Sequence, residues 1–534
     1  MKSITRLFSV LLTLPFLMSC KQTNAVKDTG VVYCSRGNPS SFNPQLAQTE
    51  SNLDISAQLY STLVRIDPNT QMVIPGLAKS WRVSRDGLRY RFKLRQGIQF
   101  HATQYFTPSR SLNADDVLFS FNRILDPLHP YFLVSGGDYP FFNNTQFPSL
   151  IKAIRKLGPY EVEFELNHPD TSLLANLATE FAVVLSAQYG KQLIRTASPE
   201  QIDQLPIGTG PFKLNDFKPD HMIRFERHWG YWEGGAPMQQ LVFDITAGPT
   251  QRLAKLITGE CDAMAFPAAS QVNMIANHED LLLNAQTGSN VAVWAFNTQK
   301  APFNRPEVRR ALAAAVDRST ILRAVYYNTG VLANSILPPT SWAYNPNVDD
   351  YQYAPIKAKK LLQQADINLP LRLTIHVTST GTAFNPNGFK TAEFIQADLR
   401  KIGVEAEIIV VERHQLASIL AQGNYQTVIT GWNAVTSDPD NFFRAQLSCQ
   451  AIKNATNASQ WCDPTTDGLI QRGIKQSRMV PRIRIYRELQ KHVQQEMPLL
   501  PIAHSLKFQS YRKDIQGLTT TDTGGINFSG VYRN

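Results

Sequence analysis

The stretch FKTAEFIQADLRKIGVEAEIIVV, residues 389–411, sets a helix directly against a strand, and that junction decides the fold class. Phe389, Ile395, Leu399 and Ile402 are the apolar positions of a helix, and Gly403 ends the pattern as a glycine does just past a helix terminus. Val404 to Val411 then reads as a strand with no loop between.

The same alternation runs outward in both directions. Val31 to Cys34 reads as a short buried strand, and Tyr90, Phe92 and Leu94 alternate with Arg91 and Lys93 as a half-exposed one. Asn113 suits the cap of a helix whose first turn carries Asp115 and Asp116 and whose stripe is Val117, Phe121, Ile124 and Leu125. A further helix starts near Pro306, with Val308, Leu312 and Val316 four apart. The chain is therefore expected to be a mixed α/β protein. At 534 residues it exceeds one hydrophobic core, so two or three compact units are expected. Val291 to Asn297 and Met497 to Ile502, apolar and extended, are the candidate crossings between lobes. They imply a discontinuous first lobe to which the C-terminal tail returns.

The N-terminus reads as an address rather than as fold. Lys2 and Arg6 precede the apolar run Leu7 to Leu17, too short for a permanent anchor, so residues 1–19 are expected to be a secretory signal. Leu17-Met18-Ser19-Cys20 resembles a lipobox, with Met18 unusual in it, and would make Cys20 a lipid anchor; ordinary cleavage after Ala25 is the alternative. The remaining cysteines of the five are Cys34, Cys261, Cys449 and Cys462. With no CxxC and no Cys/His cluster, structural disulfides in an oxidising compartment are expected, and no metal.

The formal charge of +10 falls to +8 without Lys2 and Arg6. The excess is scattered, and the clusters Lys357–Lys360 and Arg482–Arg487 read as solvated helix faces, not as a nucleic-acid site. No GxSxG, HExxH, P-loop or GxGxxG is present, and the ten histidines are scattered. Gly208-Thr209-Gly210-Pro211 reads as a turn, since Pro211 removes a backbone donor. Asp438 and Asp440, on either side of Pro439, also suit a turn better than an acid–base pair. No enzyme and no cofactor is expected.

Several stretches resemble the bacterial extracellular solute-binding proteins of family 5, the oligopeptide, dipeptide and nickel binders. They are Gly76-Leu77-Ala78-Lys79-Ser80-Trp81, Ala114-Asp115-Asp116-Val117, Gly208 to Phe212, Arg309-Arg310-Ala311-Leu312, Asp438 to Phe442 and Pro498 to Pro501. Phe106 to Arg110, Tyr139 to Phe142, Trp461 to Pro464 and Gly530 to Arg533 resemble one branch, the binding components of transporters linked to antimicrobial-peptide sensitivity. Some members of that branch are associated with haem. The resemblance implies a two-lobed periplasmic-binding-protein fold of type II (cluster C). Its expected division is a first lobe over 28–287 with an extra subdomain at about 71–199, a second lobe over 288–498, and a return over 499–534. It also implies the pairings Cys34–Cys261 and Cys449–Cys462, a monomer in the periplasm, and delivery of a peptide to the permease of an ABC transporter.

For the ligand site the resemblance implies a strand at Gly431, Trp432, Asn433 and Ala434 that pairs with an extended peptide, faced by the loop from Ser35 through Asn38 to Phe42. In such binders an aspartate three residues after Gly-Trp holds the peptide's amino terminus; here that position is Val435. In the dipeptide binders an arginine three residues before Asn-Pro-Asn meets the carboxylate, and here it is Thr382. Asp438 and Asp440 are the nearby candidates for a negative group. The ligand classes expected are a peptide, cationic antimicrobial peptides included, and as a second choice haem. A non-transport protein, a surface or chaperone-like interaction protein or one that holds nucleic acid, is the alternative from another class.

Overall fold

Strand Asn290–Phe296, NVAVWAF, is buried at every position, and its place in the computed structural model explains why. It lies inside a 12-stranded sheet, bonded on one edge to Thr427–Asn433 and on the other to Leu499–Arg512. Successive side chains point to opposite faces, so Ala292, Trp294 and Phe296 enter one core while Val291, Val293 and Ala295 enter another. The structure describes residues 29–46, 50–348, 352–520 and 525–534; the expected signal at 1–19 and Cys20 lie outside them. No helix among the described residues is long and apolar enough to cross a membrane.

Beyond Thr427–Asn433 the sheet continues through the parallel strands Leu371–Thr378 and Val404–Val411. Between these two runs the helix Gly388–Arg400, capped by Asn387 and ended at Gly403 with φ +81°, as residues 389–411 foretold. In the other direction the order is Leu499–Arg512, Ala263–Met264, Gly30–Ser35, Gln240–Ile245, Met222–Arg227 and Phe212–Lys218. The side chains there form a separate core with Tyr33, Phe225, Phe243 and, from the C-terminal tail, Ile515 and Phe528. The fold is mixed α/β with two lobes.

The strand Leu499–Arg512 belongs to both lobes. Its first residues Leu500, Ile502 and Ala503 pack in the second core, whereas Leu506 to Arg512 pair with Leu281–Thr287. Residue 499, where the return to the first lobe is expected, opens this strand. One continuous ladder serves both sheets' halves.

A second sheet of four antiparallel strands, Ala78–Val83, Arg89–Leu94, Glu161–Leu166 and Ile151–Gly158, joins the first lobe's core. In Arg89–Leu94 every second residue is buried, and Phe164 on the next strand packs edge-on against Phe121 at 5.3 Å. Phe121 lies on helix Ala114–Leu125, which the Asn113 side chain caps while Asp116 accepts from the Asn113 backbone N–H at 2.9 Å. Gly208 and Gly210 are glycine for closeness: a Cβ at Gly210 would meet the Gln58 carbonyl at 2.3 Å. Disulfides Cys34–Cys261 and Cys449–Cys462 are present, with Cα separations of 5.8 and 4.6 Å. Arg482 departs from the expected solvated cluster: Arg484 and Arg487 are exposed, but Arg482 is buried and paired.

Candidate ligand cleft

A cavity of about 680 Å³ lies where the two lobes meet. The first lobe gives it Tyr33, Leu53, Phe141, Phe181 and Phe266; the second gives Trp432 to Thr436, Asp440 and Arg444. Phe141 and Phe181 stack at 4.6 Å between ring centres, a flat apolar wall. Phe141 is set by the short helix Pro140–Asn144, which starts on a proline, and Phe181 by the turn after helix Leu173–Leu177.

The opposite wall begins on strand Thr427–Asn433. One edge of this strand pairs with Asn290–Phe296 along its whole length. The other edge meets Leu371–Thr378 only at Thr427 and Val428, and no strand among the described residues covers the rest. Trp432 is held by its indole N–H, which donates to Asn441 Oδ1 at 3.2 Å; the same oxygen accepts from the Val435 N–H at 3.1 Å. Gly431 is not on the cavity wall: a Cβ there would lie 2.2 Å from the Val291 carbonyl oxygen, so its lack of a side chain serves strand packing.

Of the expected site residues, Trp432, Asn433, Ala434 and Asp440 line the cavity. Ser35 and Asn38 do not. Ser35 is buried at the end of its strand, and Asn38 exchanges hydrogen bonds with Asp220 at 2.6 and 2.9 Å. Asp438 is not the nearby free negative group expected of it: both its oxygens accept from Arg482, at 2.7 and 2.8 Å, away from the cavity. Val435 is on the wall, whereas Thr382 closes a turn with Asn385 and is not.

Asp440 is the charged centre of the second-lobe wall. It pairs with Arg444 one helical turn on, while its Oδ1 is buried without a hydrogen-bond partner among the described residues. Removal from water pushes its pKa up to about 7; Arg444 opposes that, and Asp170 and Asp438 add to it. Arg444 also crosses to the first lobe, donating to Asp170 Oδ2 at 3.2 Å and to Ser172 Oγ at 3.3 Å. Nearby, the Thr171 N–H and hydroxyl both donate to the Ile474 carbonyl, at 2.8 and 2.9 Å. The lobes are joined here by polar contacts at the rim of the cavity.

The one group with metal-like geometry among the described residues is Cys34, Cys261 and Asp244. Its two cysteines are bonded to each other, and Asp244 is held by Lys255 at 2.7 and 2.8 Å, so it is structural.

A two-lobed α/β fold with an aromatic cleft and a half-open strand edge is the architecture of a solute-binding protein. Residues 72–454 match the profile of the bacterial extracellular solute-binding proteins, family 5, and the chain belongs to that family. It is 42% identical over 511 residues to the peptide transport periplasmic protein SapA of Salmonella typhimurium, covering 95% of this chain and 92% of that one. Among solved structures, it is similar to a dipeptide-binding protein of Pseudoalteromonas sp. SM9913 in complex with Met-Leu: TM-score 0.79, 40% identity, 94% of this chain and 100% of that one. It is also similar to HbpA2 of Haemophilus parasuis, with a TM-score of 0.91, 35% identity, 94% of this chain and 99% of that one.

Phe141, Phe181, Asp170 and Arg444 were not singled out from the sequence. Phe141 stands in a stretch that marks the family branch, but a cleft aromatic and a core aromatic look alike in one sequence. The spacing of Asp440 and Arg444, four apart, does suggest a helical ion pair. Nothing local announces that Arg444 meets a residue 274 positions earlier.

Proposed function

We propose that the chain is the substrate-binding component of an ABC transporter of the peptide class. It takes up an extended peptide between its lobes in the periplasm and delivers it to the membrane permease. The observation that carries this is the open edge of strand Thr427–Asn433 beside the aromatic cavity. Backbone groups on such an edge bond to any peptide backbone, and the aromatic wall accepts apolar side chains without selecting one sequence. Trp432, Asn433 and Ala434 are the proposed contacts from this side, and no residue is assigned a catalytic role. Cationic antimicrobial peptides fall within the ligand class. Haem is less well supported: among the described residues no His, Cys or Met lines the cavity, and the hydroxyl of Tyr33, the one tyrosine there, donates to Asp54 at 3.0 Å. The proposed lobe boundaries are 28–287 and 288–498, with the crossing back inside Leu499–Arg512 and the subdomain at about 71–199. The chain is proposed to act as a monomer, exported on residues 1–19 and tethered through Cys20; labelling with a clickable fatty acid tests the tether.

Native mass spectrometry of the protein purified from its own periplasm is the direct test of function. Bound masses that fragment as peptides are expected. A preparation that carries haem and takes up no peptide from a mixed pool would overturn the reading.

A further inference from the structure

Gln509 stands in the wall of the cleft cavity, 7% exposed, on the first-lobe half of strand Leu499–Arg512. Its backbone is placed opposite Asn284 of Leu281–Thr287, but its side chain is left over. Both polar atoms of the amide, Nε2 and Oε1, are sealed from solvent without a hydrogen-bond partner among the described residues, which holds for no other side-chain amide there. An amide that gives up water on both atoms and gains no bond is costly in a folded protein. Two further orphaned atoms belong to the same wall. Asn176 Nδ2, at helix Leu173–Leu177 of the first lobe, is a donor, and Asp440 Oδ1, from the second lobe, is an acceptor.

In an extended chain the N–H and C=O of one residue point to one side, and those of the next residue to the other. A peptide laid on the open edge of Thr427–Asn433 therefore turns every second residue's N–H and C=O away from that strand, towards the first lobe. Ser35 and Asn38 are not in the wall to meet them, and Gln509 is. We propose that Gln509 is a backbone clamp: its Nε2 donates to the carbonyl, and its Oε1 accepts from the N–H, of a single ligand residue. The inference rests on the peptide reading above and deepens it, since such a clamp reads no side chain and selects only an amide backbone. The orphaned atoms of Asn176 and Asp440 add a donor and an acceptor to the same polar lining. A haem propionate, which only accepts, leaves Gln509 Oε1 and Asp440 Oδ1 unmet.

Gln509→Met keeps the length of the side chain and loses both polar atoms. Calorimetry on the full mature protein and on this variant uses acetyl-Phe-Ala-Phe-amide and three analogues, each with one backbone N–H replaced by an ester oxygen. The variant is expected to bind the all-amide probe about tenfold more weakly. One ester should cost the wild type about tenfold and the variant nothing, because its missing N–H is the one that donates to Gln509 Oε1. Esters facing Thr427–Asn433 should cost both proteins alike. Urea unfolding without ligand separates a clamp from a structural role: Gln509→Met should be at least as stable as wild type, since it removes an unpaired buried amide. A destabilised or unfolded variant overturns the clamp alone. Equal affinity of both proteins for the all-amide probe does the same, as do ester penalties that never depend on residue 509. Failure of every probe to bind wild type overturns the peptide reading and the clamp with it.

Discussion

Arg444 Nη1 lies 3.2 Å from Asp170 Oδ2, an ion pair between helix Asp440–Leu447 of the second lobe and a loop of the first, 1% exposed on the aspartate side. The same guanidinium also pairs with Asp440. One side chain thus neutralises a carboxylate on each lobe, and only while the lobes touch. Opening the cleft leaves Asp170 and Arg444 to water, so the pair favours the closed form by less than its geometry suggests.

The first prediction follows from that asymmetry. Arg444→Gln strands Asp440 and Asp170 together, whereas Asp170→Asn leaves Arg444 still paired with Asp440. Arg444→Gln should lower stability by about 3 kcal/mol, and Asp170→Asn by clearly less. Both should raise the radius of gyration of the ligand-free protein in solution scattering. Equal effects in urea unfolding, or no change in shape, would argue that the contact is incidental to closure.

The second concerns ligand-driven closure. Contacts from both lobes to one cavity mean that a ligand binds the closed form better and shifts the population towards it. Addition of the native ligand should raise the melting temperature and shrink the radius of gyration. Saturation without compaction would remove hinge closure from the mechanism.

The third rests on the short loop between Cys449 and Cys462. Closing it restricts the unfolded chain by about 3 kcal/mol in the chain-entropy model, so replacing both cysteines by serine should cost up to that amount. Peptide mapping without reductant should recover this bond and Cys34–Cys261. Free thiols at either site would contradict the structure.

How much of this was legible in the sequence depends on the range over which each feature is decided. Helix Ala114–Leu125 with its Asn113 cap, and the Gly403 junction, rest on neighbours within a few residues, and both were readable. The resemblance carried further, pointing to Trp432 and to the absence of charge at Val435. What escaped was set by distant partners. Asp438 looked like a spare carboxylate because Arg482, its partner, is 44 residues away on a helix whose arginines looked solvated. Ser35 ends a strand that does enter the first lobe's core, and the loop after it turns Asn38 towards Asp220 instead of the cleft. The cleft's aromatic wall needed Phe141 and Phe181 to be seen stacked.

The fourth prediction is a pH dependence. His504 is fully buried; its Nδ1 meets the Asn290 carbonyl at 2.5 Å, and its Nε2 makes no hydrogen bond of ordinary geometry among the described residues. Burial pulls its pKa down to about 4, against the opposing pull of the Asn290 and Ser335 backbone. A depressed pKa means that the neutral form is native, so this contribution is complete above about pH 6.5, the unfolded value. As pH falls from there towards 4 the unfolded chain binds the proton first, and roughly 3 kcal/mol is lost. Buried His101 and His228, also lowered by burial, act in the same direction. His504→Asn, which retains a donor to Asn290, should flatten the fall in urea-unfolding free energy between pH 6.5 and pH 4. An unchanged slope would assign the loss to other groups.

The last prediction concerns the two positions where clamps are absent. Val435 is on the cavity wall and carries no charge, and Thr382 spends its hydroxyl on the Asn385 turn outside the wall. A dipeptide laid along Thr427–Asn433, as the family resemblance implies, would therefore bring its ammonium to Val435 and its carboxylate to a site without an arginine. Each unpaired buried charge costs several kcal/mol, enough to erase a micromolar affinity of about 8 kcal/mol when two are involved. Asp440 is a poor substitute at the amino end at neutral pH, because burial lifts its pKa to about 7 and Arg444 already pairs with one of its oxygens. Free Met-Leu should therefore bind weakly or not at all, and its N-acetyl, C-amide form more tightly, since backbone pairing and the Phe141–Phe181 wall remain while both charges are gone. Calorimetry with the two forms is the comparison, and wild type against Val435→Asp its control. The substitution should restore binding of the free form and leave the blocked form near its wild-type affinity. Tighter binding of free Met-Leu to the unaltered protein would mean that other residues supply the clamps, with Asp440 the first to mutate.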